Sequence, residues 1–175
     1  MLNKIKKIIP NSLGSKYGIY CGTNTLKEFL TSFKYLFKLE NDSISQKKIK
    51  VFEKKFSQKS KFKYSISYGS GRMALFSILK AINIKKNDEI ILPAFTCAVV
   101  PNSIIYSGAK PIYVDIRSDN FNINTDLIEK KITKKTKVIY AQHTFGLKCN
   151  LKKIFQLAKK YNLKVIEDSA HCFDS

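Results

Sequence analysis

The chain has 175 residues, 44% of them hydrophobic and 26% charged, which suits one globular domain with a real core and excludes disordered or collagen-like chains. The formal charge of +19 invites a nucleic-acid reading, but only Arg72 and Arg117 among the 32 basic residues are arginines, and a specific binding stripe normally uses arginine. No apolar run approaches the roughly 20 residues of a membrane span, and no pair of the four cysteines has C-x-x-C spacing, which argues against a zinc or redox site.

The Lys-rich start, Met1–Ile9, has no continuous apolar stretch and no small-residue cleavage site. It reads as mature cytoplasmic sequence. The charge is also spread out: residues 1–63 carry 15 Lys against 4 acids and residues 64–175 carry 17 basic against 9 acidic residues. Diffuse charge predicts no specific nucleic-acid partner.

Leu26, Phe29, Leu30, Phe33, Leu36 and Phe37 recur at helical spacing behind a possible cap at Asn24-Thr25. A second, more polar helix is predicted over 45–58, with Ile49, Phe52 and Phe56 on one face. Residues 1–60 therefore read as an N-terminal helical segment. From residue 61 the pattern alternates. Tyr64–Tyr68 reads as a strand and Gly69-Ser70-Gly71 as a turn. A helix follows over 72–82, with Ala74, Leu75, Ile78, Leu79 and Ile82 inward. Further strands are predicted at 89–92, 111–114, 137–141 and 163–166. Helices are predicted at 98–106, with Pro101 in the first turn, at 125–132, and at 151–161 with Leu151, Ile154, Phe155 and Ala158 inward. Short apolar strands alternating with helices imply an α/β fold: a mainly parallel sheet covered on both faces, three layers in all. In such sheets ligands bind at the carboxyl ends of the strands.

Three segments at those ends carry candidate chemistry. In Tyr68-Gly69-Ser70-Gly71-Arg72-Met73-Ala74, two glycines permit a tight turn and a helix starts at once. Free N–H groups and the positive dipole end suit a phosphate, with Ser70 and Arg72 as extra donors; a plain tight turn is the competing reading. The same residues match G-x-G-x-x-A. The acids at the right distance for a ribose, Asp88 and Glu89, precede their strand instead of following it. That counts against a Rossmann-type nucleotide-sugar module. Asp168, at the exit of the last strand, needs a partner in a ligand crevice. A protonated pyridine nitrogen is one, and the cap of a following helix is the other. His143 and His171 each read, alone, as ordinary hydrogen-bonded histidines.

Taken in order, the segments over about 50–175 resemble the DegT/DnrJ/StrS-type sugar aminotransferases, pyridoxal-phosphate (PLP) enzymes of the aspartate-aminotransferase fold (fold type I). They begin with Phe52-Glu53, Ser70-Gly71-Arg72-Met73-Ala74-Leu75 and Asn87-Asp88-Glu89-Ile90-Ile91-Leu92-Pro93-Ala94-Phe95-Thr96. Ser107-Gly108-Ala109-Lys110-Pro111-Ile112-Tyr113-Val114-Asp115, Phe121-Asn122-Ile123 and Thr136-Lys137-Val138-Ile139 follow. The last are His143-Thr144-Phe145-Gly146 and Val165-Ile166-Glu167-Asp168-Ser169-Ala170-His171.

The resemblance implies that 61–175 is part of the PLP-binding large domain. It implies that Ser70, Gly71 and Arg72 face the cofactor phosphate, that Asp168 bonds the pyridine nitrogen and that His171 sits near the phenolic oxygen. It also implies a nucleotide-sugar substrate, an amino-acid donor such as glutamate, a role in surface-polysaccharide or related sugar synthesis, and a homodimer. Arg72 stands where the family usually has Thr, and Cys97 where it usually has an aromatic that stacks on the ring. The family's Schiff-base lysine lies beyond the aspartate motif, and none of the 30 lysines here has that context. The expectation is therefore of a fragment without its catalytic lysine and without the small C-terminal domain, inactive by itself. A catalytically dead, partner-binding fragment is the alternative.

Overall fold

A computed structural model of the protein describes residues 26–37 and 45–172. They belong to two compact units, residues 1–65 and 66–175. The first contains α1 (Leu26–Leu36) and α2 (Gln46–Ser60). The proposed cap Asn24-Thr25 lies outside the described residues. Phe29, Phe33 and Phe37 stack along α1 with ring centroids 5.9 and 4.7 Å apart, as their helical spacing dictates. Ser45 caps α2, its Oγ accepting the Lys47 N–H at 3.2 Å.

The second unit is built on β1 (Glu89–Pro93), β2 (Lys110–Val114), β3 (Thr136–Gln142) and β4 (Lys164–Asp168). All pairs are parallel, in the order β2-β1-β3-β4. Around them lie α3 (Gly71–Ala81), α4 (Val99–Tyr106), the single turn α5 (Thr125–Ile128) and α6 (Leu151–Lys160). Pro101 occupies the first turn of α4, where it removes no intrahelical bond. The helix predicted over 125–132 tightens after one turn into a 3-10 segment, Glu129–Lys131.

Side-chain alternation sorts the strands into two cores. Ile90, Leu92, Val138 and Tyr140 face Leu75 and Leu79 of α3 and Val100 and Ile104 of α4. Ile91, Ile139 and Ala141 face Ile128 of α5 and Ile154, Leu157 and Ala158 of α6. The result is helix, sheet and helix in three layers. Ile90, Ile91, Val138 and Ile139 are fully buried on the two central strands, each worth roughly 1.5–3 kcal/mol of burial.

Three expectations fail in instructive ways. Tyr64–Tyr68 is not a strand. It is not one of the four strands of the sheet, and Tyr64, Ile66 and Tyr68 are exposed; β propensity needs a neighbouring ladder to express itself. Ile78 and Phe155, both counted as inward, are also exposed. The buried stripe of α3 is narrower than the apolar one, centred on Leu75 and Leu79, and that of α6 turns toward Leu157.

Candidate functional site

β4 ends on two acids whose side chains point to opposite faces. Asp168 is in register with Gln142, and Glu167 with Ala141. Asp168 is half-buried. Its Oδ2 accepts the Tyr140 hydroxyl at 2.5 Å, and its Oδ1 accepts the Ala170 N–H at 2.9 Å. Burial, then the Asp168 charge and hydrogen bond, push the Tyr140 phenol far above its ordinary pKa, so it remains a donor. Each carboxylate oxygen accepts one of these two bonds, and each has a second lone pair. Within the described residues no helix follows Asp168, whose Oδ1 closes a short turn through the Ala170 N–H.

On the other face Glu167 accepts from His143. The Cys149 N–H donates to His143 Nδ1 at 3.1 Å, which places the ring proton on Nε2, 2.7 Å from Glu167 Oε1. His143 is only 2% exposed. Both ring nitrogens are used inside the fold, so this histidine braces the loop after β3. Burial, then the Glu167 charge, push the nearby Cys149 thiol up to about 11.

The loops after β1, β2 and β3 are joined by side-chain amides and hydroxyls. Gln142 accepts from Thr96 Oγ1 at 2.6 Å and donates to Thr144 Oγ1 at 2.9 Å. Asn122 accepts the Thr144 N–H and donates to the Leu147 carbonyl, both at 2.9 Å. Cys97, one residue after Thr96, is exposed in the loop after β1. Phe95, Phe121 and Phe145 meet with centroids 5.8–5.9 Å apart. His171 stacks on Phe145 at 6.0 Å and 6°, its Nδ1 accepting the Phe145 N–H at 3.2 Å. That leaves its Nε2–H as a donor with no hydrogen-bond acceptor among the described residues. Gly146 (φ 83°) passes so near that a Cβ there would stand 3.2 Å from the His171 carbonyl.

The Gly69–Arg72 turn is exposed. Ser70 caps α3, its Oγ accepting the Met73 N–H at 3.4 Å, and Ser103 Oγ donates to the Arg72 carbonyl at 3.2 Å. The N–H groups of Gly71 and Arg72 open the helix without intrahelical acceptors. Apart from chain neighbours and the helix's own backbone, no atom of the described residues lies within 4 Å of where a Cβ on Gly69 or Gly71 would sit. No hydrogen bond or ion pair among the described residues joins this turn to Asp168 or His171. Thus Cys97, Asp168 and His171 lie on the strand-end loops, and Ser70, Gly71 and Arg72 form a separate opening. Asp88 and Glu89 sit at the amino end of β1 and are engaged there, Asp88 by the Lys85 N–H and Glu89 by Thr133 and Thr136.

The model of the DegT/DnrJ/EryC1/StrS aminotransferase family matches residues 33–175. The chain belongs to that family. It is 40% identical over 127 residues to GDP-perosamine synthase of Escherichia coli O157:H7, covering 73% of this chain and 35% of that protein. Among solved structures it is similar to an aminotransferase from Psychrobacter cryohalolentis, with a TM-score of 0.78, 31% identity, and coverage of 86% of this chain and 38% of the other. It is also similar to NtdA of Bacillus subtilis with bound cofactor PMP, with a TM-score of 0.68, 39% identity, and coverage of 69% and 28%. The chain spans about a third of the length of the curated relatives it matches.

For a member of this aminotransferase family, sequence reading missed Tyr140, Glu167 and the Gln142–Thr144–Asn122 network. Tyr140 reads as one more apolar core residue of β3. Two-residue alternation places it on one face with Gln142, but only the β3–β4 register puts its hydroxyl beside Asp168.

Among the described residues no helix is long and apolar enough to cross a membrane, and no cluster of His, Cys, Asp and Glu has metal-site geometry.

Proposed function

We propose that residues 61–175 form part of the PLP-binding large domain of a sugar aminotransferase, after the N-terminal helical segment 1–60. The whole protein transfers an amino group from an amino-acid donor, glutamate being the expected one, to a nucleotide-linked keto sugar. It works as a cytoplasmic homodimer in polysaccharide or related sugar synthesis. One observation carries the reading: in a chain matched to the family over 33–175, the carboxylate at the end of β4 is held by two donors with a lone pair to spare on each oxygen.

The residues present fit the cofactor at both ends. Asp168 supplies a fixed anionic acceptor for a pyridinium N–H. The open space over Gly69 and Gly71, with the free N–H groups of Gly71 and Arg72, admits a phosphate to the start of α3. When bound, PLP supplies the electron sink for transamination. Asp168 keeps the proton on the ring nitrogen, His171 Nε2–H donates to the phenolic oxygen, and the Arg72 guanidinium pairs with the phosphate. Cys97 lines the approach between the loop after β1 and Tyr140, leaving ring stacking to another group.

Titration with pyridoxamine 5′-phosphate, followed by fluorescence, tests the assignment. Saturable binding is expected, and Asp168→Asn weakens it by roughly 10–100-fold, the worth of a hydrogen bond to a charged group. Unchanged affinity in that variant overturns the reading.

A further inference from the structure

We propose that Tyr140 is the positioning residue for Asp168: its hydroxyl fixes the carboxylate's orientation and keeps negative charge available for the pyridinium N–H. The inference rests on the reading of Asp168 given above and extends it to a residue on the neighbouring strand.

The geometry gives this hydroxyl one destination. Tyr140 is 4% exposed, inside the core between the sheet and α3 and α4, among aliphatic side chains that offer its hydroxyl no partner. A phenol buried there without a partner is destabilising, because its hydroxyl gives up its bonds to water for nothing. Its hydrogen-bond partner is Asp168 Oδ2 at 2.5 Å, within the range of charge-assisted O–H···O⁻ bonds. Reach explains why the residue is tyrosine. Asp168 is in register with Gln142, two residues beyond Tyr140, a rise of about 6.6 Å along the strand. A tyrosine leaning along β3 spans that distance; serine and threonine do not.

The two donors act together. Ala170 N–H holds Oδ1 and Tyr140 holds Oδ2, so the carboxylate cannot rotate without breaking a bond. The phenol, kept protonated by burial and by the Asp168 charge, always donates. Donation draws charge density off Oδ2 and makes the carboxylate a weaker competitor for the ring proton, which therefore stays on nitrogen. Remove the donor, and the carboxylate turns more freely and pulls the shared proton toward itself.

The test is the pyridine ¹⁵N resonance of labelled pyridoxamine 5′-phosphate bound to the full chain at neutral pH. Wild type, with the proton shared between the ring nitrogen and Asp168, is expected near the pyridinium position but short of its limit, and Asp168→Asn at the neutral position. Tyr140→Phe should fall between them, with affinity about tenfold weaker. Replacing Tyr140 by 3-fluorotyrosine keeps the ring and strengthens the donor, and should move the resonance the opposite way, toward the pyridinium side. It also serves if Tyr140→Phe does not fold, in which case an unmoved resonance overturns the inference. A Tyr140→Phe protein that keeps the wild-type resonance while Asp168→Asn loses it shows Tyr140 to be core filling, and leaves the Asp168 assignment standing. A pyridinium resonance in Asp168→Asn, or no binding by wild type, overturns both.

Discussion

At the end of β4, Asp168 is gripped by a side chain from β3 and by its own turn; at the start of α3, the Gly69–Arg72 turn stands open with its first N–H groups unused. The first arrangement exists only if two strands pair in the correct register. The second exists as soon as a helix begins after glycine. A cofactor held at both places would therefore have its ring end coupled to the stability of the sheet and its phosphate end nearly independent of it. Perturbing the core, the braces and the open turn in sequence separates the two.

The largest effect is expected from the sheet itself. Ile139 is fully buried on the central strand β3, paired to Ile91 on one side and Val165 on the other. Ile139→Ala should cost roughly 2–5 kcal/mol in urea denaturation, and should weaken pyridoxamine phosphate binding by loosening the β3–β4 register. Full affinity at temperatures where the variant is partly unfolded would break the proposed coupling.

Next comes the brace on the opposite face. His143→Ala orphans the Cys149 N–H, which costs about 1–3 kcal/mol by itself. Since Tyr140 and Asp168 face the other way, the ¹⁵N resonance of the bound cofactor should stay at its wild-type position. A shift there would show that the two faces of β4 are not independent.

Arg72→Ala sharpens the comparison from the other side. The guanidinium is exposed, so its loss should weaken cofactor binding by roughly fivefold, about 1 kcal/mol. The urea midpoint should not move. A coupled loss of stability and binding would contradict the separation.

The smallest effect is a pH dependence at Cys149. Its thiol pKa is raised from 9.0 to about 11 by burial and the Glu167 charge. The unfolded chain releases that proton first as pH rises, so stability from this group is whole below about 9 and declines up to about 11. Thiol labelling should follow the same order, with exposed Cys97 reacting at neutral pH and Cys149 only near its raised pKa. Equal rates at pH 8 would refute the burial.

Much of this was legible in the sequence, because buried parallel strands such as Ile90-Ile91-Leu92 are short apolar runs and the intervening helices carry a stripe. The place of Asp168 was legible for the same reason: the acids Glu167-Asp168 after the apolar Val165-Ile166 mark a strand's exit. Tyr64–Tyr68 was misread because strand character depends on a neighbour that a local pattern cannot reveal. Tyr140 was passed over because its ring belongs to the core and its hydroxyl does not; only the register of two strands 28 residues apart joins it to Asp168. Asn122 and Gln142 are silent for a similar reason, since their amides bond to loops distant in sequence, at Leu147 and Thr96.

The alternation of Glu167 and Asp168 has a consequence for how the chain tolerates length changes. One residue inserted between α6 and β4 would bring Glu167, one methylene longer, to the place of Asp168 beside Tyr140 and Ile166 to the place of Glu167 beside His143; one residue deleted would bring Ser169 and Asp168 to those two places. Neither pair fits the distances in place. The turn at Tyr161–Leu163 is thus a ruler as much as a connection, and indels there should be purged although the residues themselves touch no ligand.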